Sequence, residues 1–209
     1  MAHGFRRQGK GAAERFTAKL DPSERDLLVS LLSQTHDLLD PPDVSGGPDV
    51  DAFTALTAPL AGLPGFAAPR AMTPEPAVED DRDPALARLL PSAHRTDEAA
   101  AAEFRRLTEA GLRRRKADTI ETAITGLRRN PGGIDLDRPT AIAVLTALTD
   151  VRLVLGERMG LQDDVDVERV EERASQLPDG HPLVYLVAVY DFLTWLQETL
   201  AHALLRTRR

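Results

Sequence analysis

From His181-Pro182 onward, Leu186, Val189, Leu193, Leu196, Leu200 and Leu204 recur at intervals of three and four residues. A helix turns once in 3.6 residues and gathers such positions on one face, whereas a strand of period two scatters them over both. Val187, Tyr190, Phe192 and Trp195 widen the stripe, so this last helix is expected to be the most buried. Three upstream stretches carry the same signal. Asp21-Pro22-Ser23-Glu24 reads as a cap, a first-turn proline and a capping box, followed by Leu27, Leu28, Leu31, Leu32, Leu38 and Leu39 up to Asp40. Thr96-Asp97-Glu98 opens a long helix to about Arg129, with Ala100, Phe104, Leu107, Gly111, Ile120, Ile124 and Leu127 as its stripe and Asn130-Pro131-Gly132-Gly133 as its stop. Asp137 and Pro139 open another, with Ile142, Leu145, Leu148, Val151, Leu155 and Met159 inward and Gly160 at its end. Several apolar stripes on one chain have to bury one another, which predicts a mainly α protein, a bundle of about five to six helices.

The remaining segments complete the organisation. Residues 14–20 alternate, with Phe16, Ala18 and Leu20 apolar, and Phe5-Arg6-Arg7 can pair with them across Gly9-Lys10-Gly11 as a short N-terminal β-hairpin. Asp83-Pro84 starts a short helical turn through Leu90, and the acidic run from Asp163 to Gln176 reads as a short surface helix. Between Asp40 and Asp83, eight prolines and four glycines interrupt any period, and nine acidic side chains face only Arg70 and Arg82. Low hydrophobicity with excess charge does not repay the entropy of ordering a chain. Residues 41–82 are therefore expected to be an acidic flexible linker, with Val50 to Thr57 as a short helix inside it. It separates residues 1–40, the hairpin plus first helix packed on the bundle, from the helical bundle of 83–209.

Composition removes whole classes of function. The 209 residues carry a net charge of −7, which disfavours a surface built throughout for nucleic acid. With no cysteine there is no disulfide, thiolate metal site or thiol nucleophile. Of the 26 basic residues only Lys10, Lys19 and Lys116 are lysines, as in the coding bias of a GC-rich genome, so arginine abundance is a poor sign of phosphate binding. The longest apolar run, Leu183 to Tyr190, falls well short of the roughly 20 residues of a membrane helix. No secretory signal follows the N-terminal Phe5-Arg6-Arg7, and the expected address is the cytoplasm.

Candidate chemistry is sparse. Arg113-Arg114-Arg115-Lys116 is the densest basic patch, a solvated helix face, a contact for an acidic protein surface, or a DNA contact together with Arg206, Arg208 and Arg209. Asp150 and Arg152 lie among Leu148, Val151 and Leu153, and Asp191 lies between Tyr190 and Phe192. Charges so close to an apolar stripe are expected to be paired, Asp191 with Arg152 as one pairing; the other reading makes the three an enzyme site. Asp163-Asp164-Val165-Asp166-Val167-Glu168 lacks the glycine and the terminal glutamate of a calcium loop. His36, His94, His181 and His202 form no metal-binding spacing, and no serine sits in a nucleophile elbow. No metal or cofactor is expected.

Three blocks carry a resemblance. They are Asp83-Pro84-Ala85-Leu86-Ala87-Arg88-Leu89-Leu90-Pro91, continuing through Arg95 and Asp97 into Ala102-Glu103-Phe104-Arg105-Arg106-Leu107-Thr108-Glu109; Thr146 to Gly156; and Tyr190 to Leu200. Together they resemble an actinobacterial family of unknown function, the AosR-like family typified by an oxidative-stress regulator. The resemblance runs over nearly the whole chain and is weakest over 41–82. It implies a cytoplasmic, non-enzymatic regulator acting by protein–protein interaction, with a stress sigma factor among its partners. Redox sensing in the type rests on a cysteine pair, which this chain lacks, so the thiol switch does not carry over. Of Met1, Met72 and Met159, only Met159 is expected in the core. Homodimerisation through the wide apolar face of the last helix stays open.

Overall fold

The computed structural model describes residues 2–9, 11–40, 83–91, 98–130 and 132–205. Among these lie three strands, β1 (His3–Gln8), β2 (Arg15–Lys19) and β3 (Ile134–Leu136), and six helices. The helices are α1 (Pro22–Leu39), α2 (Pro84–Leu89), α3 (Glu98–Arg128), α4 (Arg138–Arg158), α5 (Asp164–Ser175) and α6 (Pro182–Leu205). The fold is mainly α, as the spacing predicts.

Local chemistry sets the helix ends. Asp21 Oδ1 accepts the Glu24 N–H at 2.9 Å while Glu24 Oε2 accepts the Asp21 N–H at 2.8 Å, the reciprocal capping box of α1. Asp83 caps α2 through the Ala85 N–H at 2.8 Å, and Asp137 caps α4 through the Thr140 N–H at 2.9 Å. The bonds from Thr140 hold the Asp137 carboxyl below the usual carboxylate range.

The expected hairpin is two strands of a three-stranded antiparallel sheet, in the order β1-β2-β3. Phe16, Thr17 and Ala18 of β2 pair with Leu136, Asp135 and Ile134 of β3. Three residues between a glycine turn and a helix cap are too few to display a period of two, so β3 reads as loop in the sequence. Gly9 and Gly11, at φ +72° and +58°, turn β1 into β2. The inner face of the sheet buries Phe5, Phe16, Ala18, Ile134 and Leu136. Glu14, also buried, pairs with Arg7 and, at 3.2 Å, with Arg138.

The chain forms two compact units. The first joins the described residues of Met1–Asp43 to Arg113–Arg152 and to the part of α6 from Asp191 onward. Its core holds Phe16, Leu28, Leu32, Ile120, Leu127, Leu148, Val151, Leu193, Leu196 and Leu200. The second takes α2, the first part of α3 to Leu112, and Leu153–Tyr190. There Leu89, Val154, Leu155, Met159, Leu183 and Leu186 are buried. Arg88 pairs with Glu157 at 2.8 Å, and Arg158 pairs with Asp83 at 2.6 Å. The stretch 41–82, with its expected short helix, lies outside the described residues.

The expected stripes are buried at Ile120 and Leu127 of α3 and at Leu148, Val151, Leu155 and Met159 of α4, but three expected inward positions differ. Phe104 (45% exposed), Leu107 (68%) and Ile142 (47%) face outward. α3 buries Ala117, Ile120, Ala123 and Leu127, and α4 buries Ala141, Val144, Leu148, Val151 and Leu155. Small alanines set the face in both helices because they permit close helix approach, and a count of large apolar residues overlooks them. α4 alone among the described helices has the length and apolar content to cross a bilayer, and 56% of that stretch is buried within the protein.

Phe16 is fully buried at the centre of the sheet. Replacing Phe16 by Ala is expected to cost about 3–5 kcal/mol in urea denaturation. A loss under about 1 kcal/mol would mean that the sheet is an appendage and not part of the core.

Candidate functional site

The basic run lies on α3, where four consecutive positions circle the helix, and the structure divides them into two pairs. Arg113 and Lys116, three apart, lie on the side of the buried Ala117 and Ile120. Arg113 Nη1 donates to the Leu39 carbonyl at 3.3 Å, where a cation suits the C-terminal end of α1. Lys116 Nζ donates to Asp150 Oδ1 at 2.6 Å. Arg114 and Arg115 are exposed, and neither has an acidic partner among the described residues.

Asp150 is the most enclosed of these groups, its side chain 3% exposed against 21% for Lys116. Burial pushes its carboxyl above the usual carboxylate range, and the Lys116 ammonium opposes the shift. Asp150 Oδ2 is buried and has no hydrogen-bond partner among the described residues. The pair joins α3 to α4 across 34 residues of sequence, and Lys116 is a partner for Asp150 that the sequence reading did not name. Arg152, two residues along α4, donates to Gln197 Oε1 at 2.8 Å, and Gln197 Nε2 donates to Thr149 Oγ1 at 2.7 Å.

Asp191 does not join them. It is exposed and makes no ion pair with Arg152. Six positions separate Asp191 from Gln197, about 240° around α6, so the two sit on different faces of that helix. Asp150, Arg152 and Asp191 therefore do not converge on a common point. The acidic run before α5 has a local use: Asp163 caps the helix through the Asp166 N–H at 3.0 Å. Asp166 accepts the Gln162 N–H at 3.0 Å and pairs with Arg169, and these bonds hold its carboxyl below the usual range. Among the described residues no three His, Asp or Glu side chains gather as a metal-binding cluster.

On α6 the leucine stripe is enclosed, while Trp195 (37% exposed) and Tyr185 (51%) reach solvent. Trp195 stacks at a tilt on Phe192, ring centres 6.1 Å apart. What the sequence missed is the role of Gln197, since a neutral side chain on an amphipathic helix carries no signal of its partner.

Lys116→Ala leaves Asp150 buried without its counter-charge, which is expected to cost about 3–5 kcal/mol at neutral pH. The folded state holds the Asp150 proton more tightly than the unfolded chain does, so its contribution favours folding at low pH and is lost as pH rises through the raised value. The cost of Lys116→Ala should accordingly shrink as pH falls toward the ordinary carboxylate range. A small cost that does not change with pH would show that the pair contributes nothing to the core.

Comparison with known proteins adds a lineage to this geometry. The family model described as Domain of unknown function (DUF2017) matches residues 2–204. The Oxidative stress regulator AosR of Mycobacterium tuberculosis is 30% identical over 208 residues, spanning 93% of this chain and 84% of that protein. The Putative oxidative stress regulator AosR of Mycobacterium leprae is 29% identical over 194 residues, 92% of this chain and 84% of its own. No solved structure matches. Coverage from one end of the fold to the other, with identity spread across nine-tenths of the chain, leads to one conclusion: the chain belongs to the DUF2017 family and is a relative of the AosR proteins.

Proposed function

We propose that this chain is a cytoplasmic regulatory protein of the AosR kind that works by holding a protein partner, a stress sigma factor being the first candidate, and catalyses no reaction. The names of its relatives support a regulatory role. The observation that carries the binding reading is the division of the basic run: Arg113 and Lys116 are tied inside the fold while Arg114 and Arg115 stand side by side in solvent. Two guanidinium groups at successive helix positions, without an acidic partner among the described residues, offer bidentate hydrogen bonds to carboxylates on a protein surface.

Two other readings are weaker. DNA binding through Arg113–Lys116 loses two of its four cations to internal contacts, which reduces the counterion release available to it. An enzyme site at Asp150, Arg152 and Asp191 has less support, because Asp150 turns to Lys116, Arg152 to Gln197, and Asp191 is exposed. Without cysteine, whatever signal reaches the protein acts through a mechanism other than thiol oxidation.

Crosslinking of the native complex followed by mass spectrometry tests the reading. The wild-type chain should retain a protein at near-stoichiometric yield, and Arg114→Glu with Arg115→Glu should reduce that yield at least tenfold while the fold is preserved. No stoichiometric partner, or an undiminished one in the double variant, would contradict it.

A further inference from the structure

On the N-terminal sheet, His3 pairs with Lys19 and Arg6 pairs with Thr17. Between these pairs Gly4 and Phe5 stand opposite Ala18 alone, which is a β-bulge. In a regular strand, residues three apart point to opposite faces. The extra residue cancels that alternation, so His3 and Arg6 share the outer face with Thr17 and Lys19 while Phe5 turns into the core. The bulge is held from behind by α6: the Phe5 N–H donates to Thr199 Oγ1 at 3.1 Å. A Cβ on Gly4 would stand 2.6 Å from Thr199 Cγ2, so glycine alone permits this approach.

The result is a shallow groove of about 320 Å³ lined by His3, Gly4, Arg6, Thr17, Ala18 and Lys19. Its charges are available. Arg15, on the same face, is neutralised by Asp135 at 2.8 Å, whereas Arg6 and Lys19 have no acidic partner among the described residues. Gln8 Nε2 donates to Thr17 Oγ1 at 3.0 Å and fixes the floor beside them.

We propose that this groove docks an acidic segment of a protein partner, an extended peptide whose Asp or Glu carboxylates meet Arg6 and Lys19. The proposal rests on the reading that the chain works by holding a protein. A peptide fits better than a nucleic acid for three reasons. No Phe, Tyr or Trp lines the groove, and the small imidazole of His3 is its one ring for stacking a base. Two cations release few counterions. The chain's net charge of −7 repels a long polyanion, but a short acidic stretch meets mainly the local field of the groove.

The test is fluorescence anisotropy of a labelled twelve-residue peptide of Glu, Asp and Gly with the full chain, at about 50 mM salt, where screening is weak. The wild-type chain should bind it, less tightly as salt rises. Arg6→Glu with Lys19→Glu, both exposed positions, should weaken binding at least tenfold with far-UV dichroism and melting unchanged. Arg114→Glu with Arg115→Glu should stay within threefold of wild type. If the reversal misfolds, Arg6→Gln with Lys19→Gln replaces it and should weaken binding at least threefold. Binding unchanged by the groove variants, equal losses in the two double reversals, or tighter Arg6- and Lys19-dependent binding of duplex DNA would each overturn the proposal. A wild-type chain that binds no acidic peptide yet still holds a stoichiometric partner in native complexes would overturn the groove and leave the regulator reading intact.

Discussion

A half-buried lysine and a buried aspartate join α3 to α4 inside the first unit, and much else in that unit follows from them. Lys116 and Asp150 meet at 2.6 Å with the carboxylate almost out of water. Removing two charges from water is costly, and only close geometry offsets it, so the pair is satisfied at one relative placement of the two helices. That placement sets Ala117 and Ile120 of α3, and Ala147 and Val151 of α4, into the core. It also decides which basic side chains remain outside. With Lys116 turned inward, Arg113 falls on the same side and reaches the end of α1, and the next two arginines are left in solvent. The exposed basic pair is thus a consequence of how the core is built.

The N-terminal sheet obeys the same logic on a smaller scale. Its inner face completes the core through Phe5, Phe16 and Leu136, and its outer face carries Arg6, Arg15 and Lys19. A single bulge separates the two sets, and Thr199 of α6 anchors it. In both places charge that the fold needs is paired, and charge that it does not need is presented outward.

Helix positions were legible in the sequence because their determinants are local. Asp21 and Glu24, Asp137 and Thr140, and Asp163 and Asp166 act over three residues, and the leucine spacing of α6 is a property of that segment alone. What could not be read depends on distance along the chain. The partner of Asp150 lies 34 residues away, and no spacing rule links the two. β3 exists only because β2 offers it an edge 120 residues upstream, as the Arg15–Asp135 contact marks. The outward turn of Phe104 and Ile142 reflects which neighbouring helix each face meets, information absent from an isolated amphipathic pattern. The candidate site was legible in part: Arg113–Lys116 and Asp150 were the residues to watch, but their division between structure and surface needed the folded chain.

Lys116 and Asp150 serve the core alone, and the proposed recognition belongs to the exposed charges. The most direct test replaces Lys116 and Asp150 together, Lys116→Met with Asp150→Leu, and measures stability and partner retention on the same protein. The expected result is a folded chain of near wild-type stability, since an apolar pair can substitute for a buried ion pair, and undiminished retention of the partner. A chain equally stable but no longer able to hold its partner would instead place the function inside the pair.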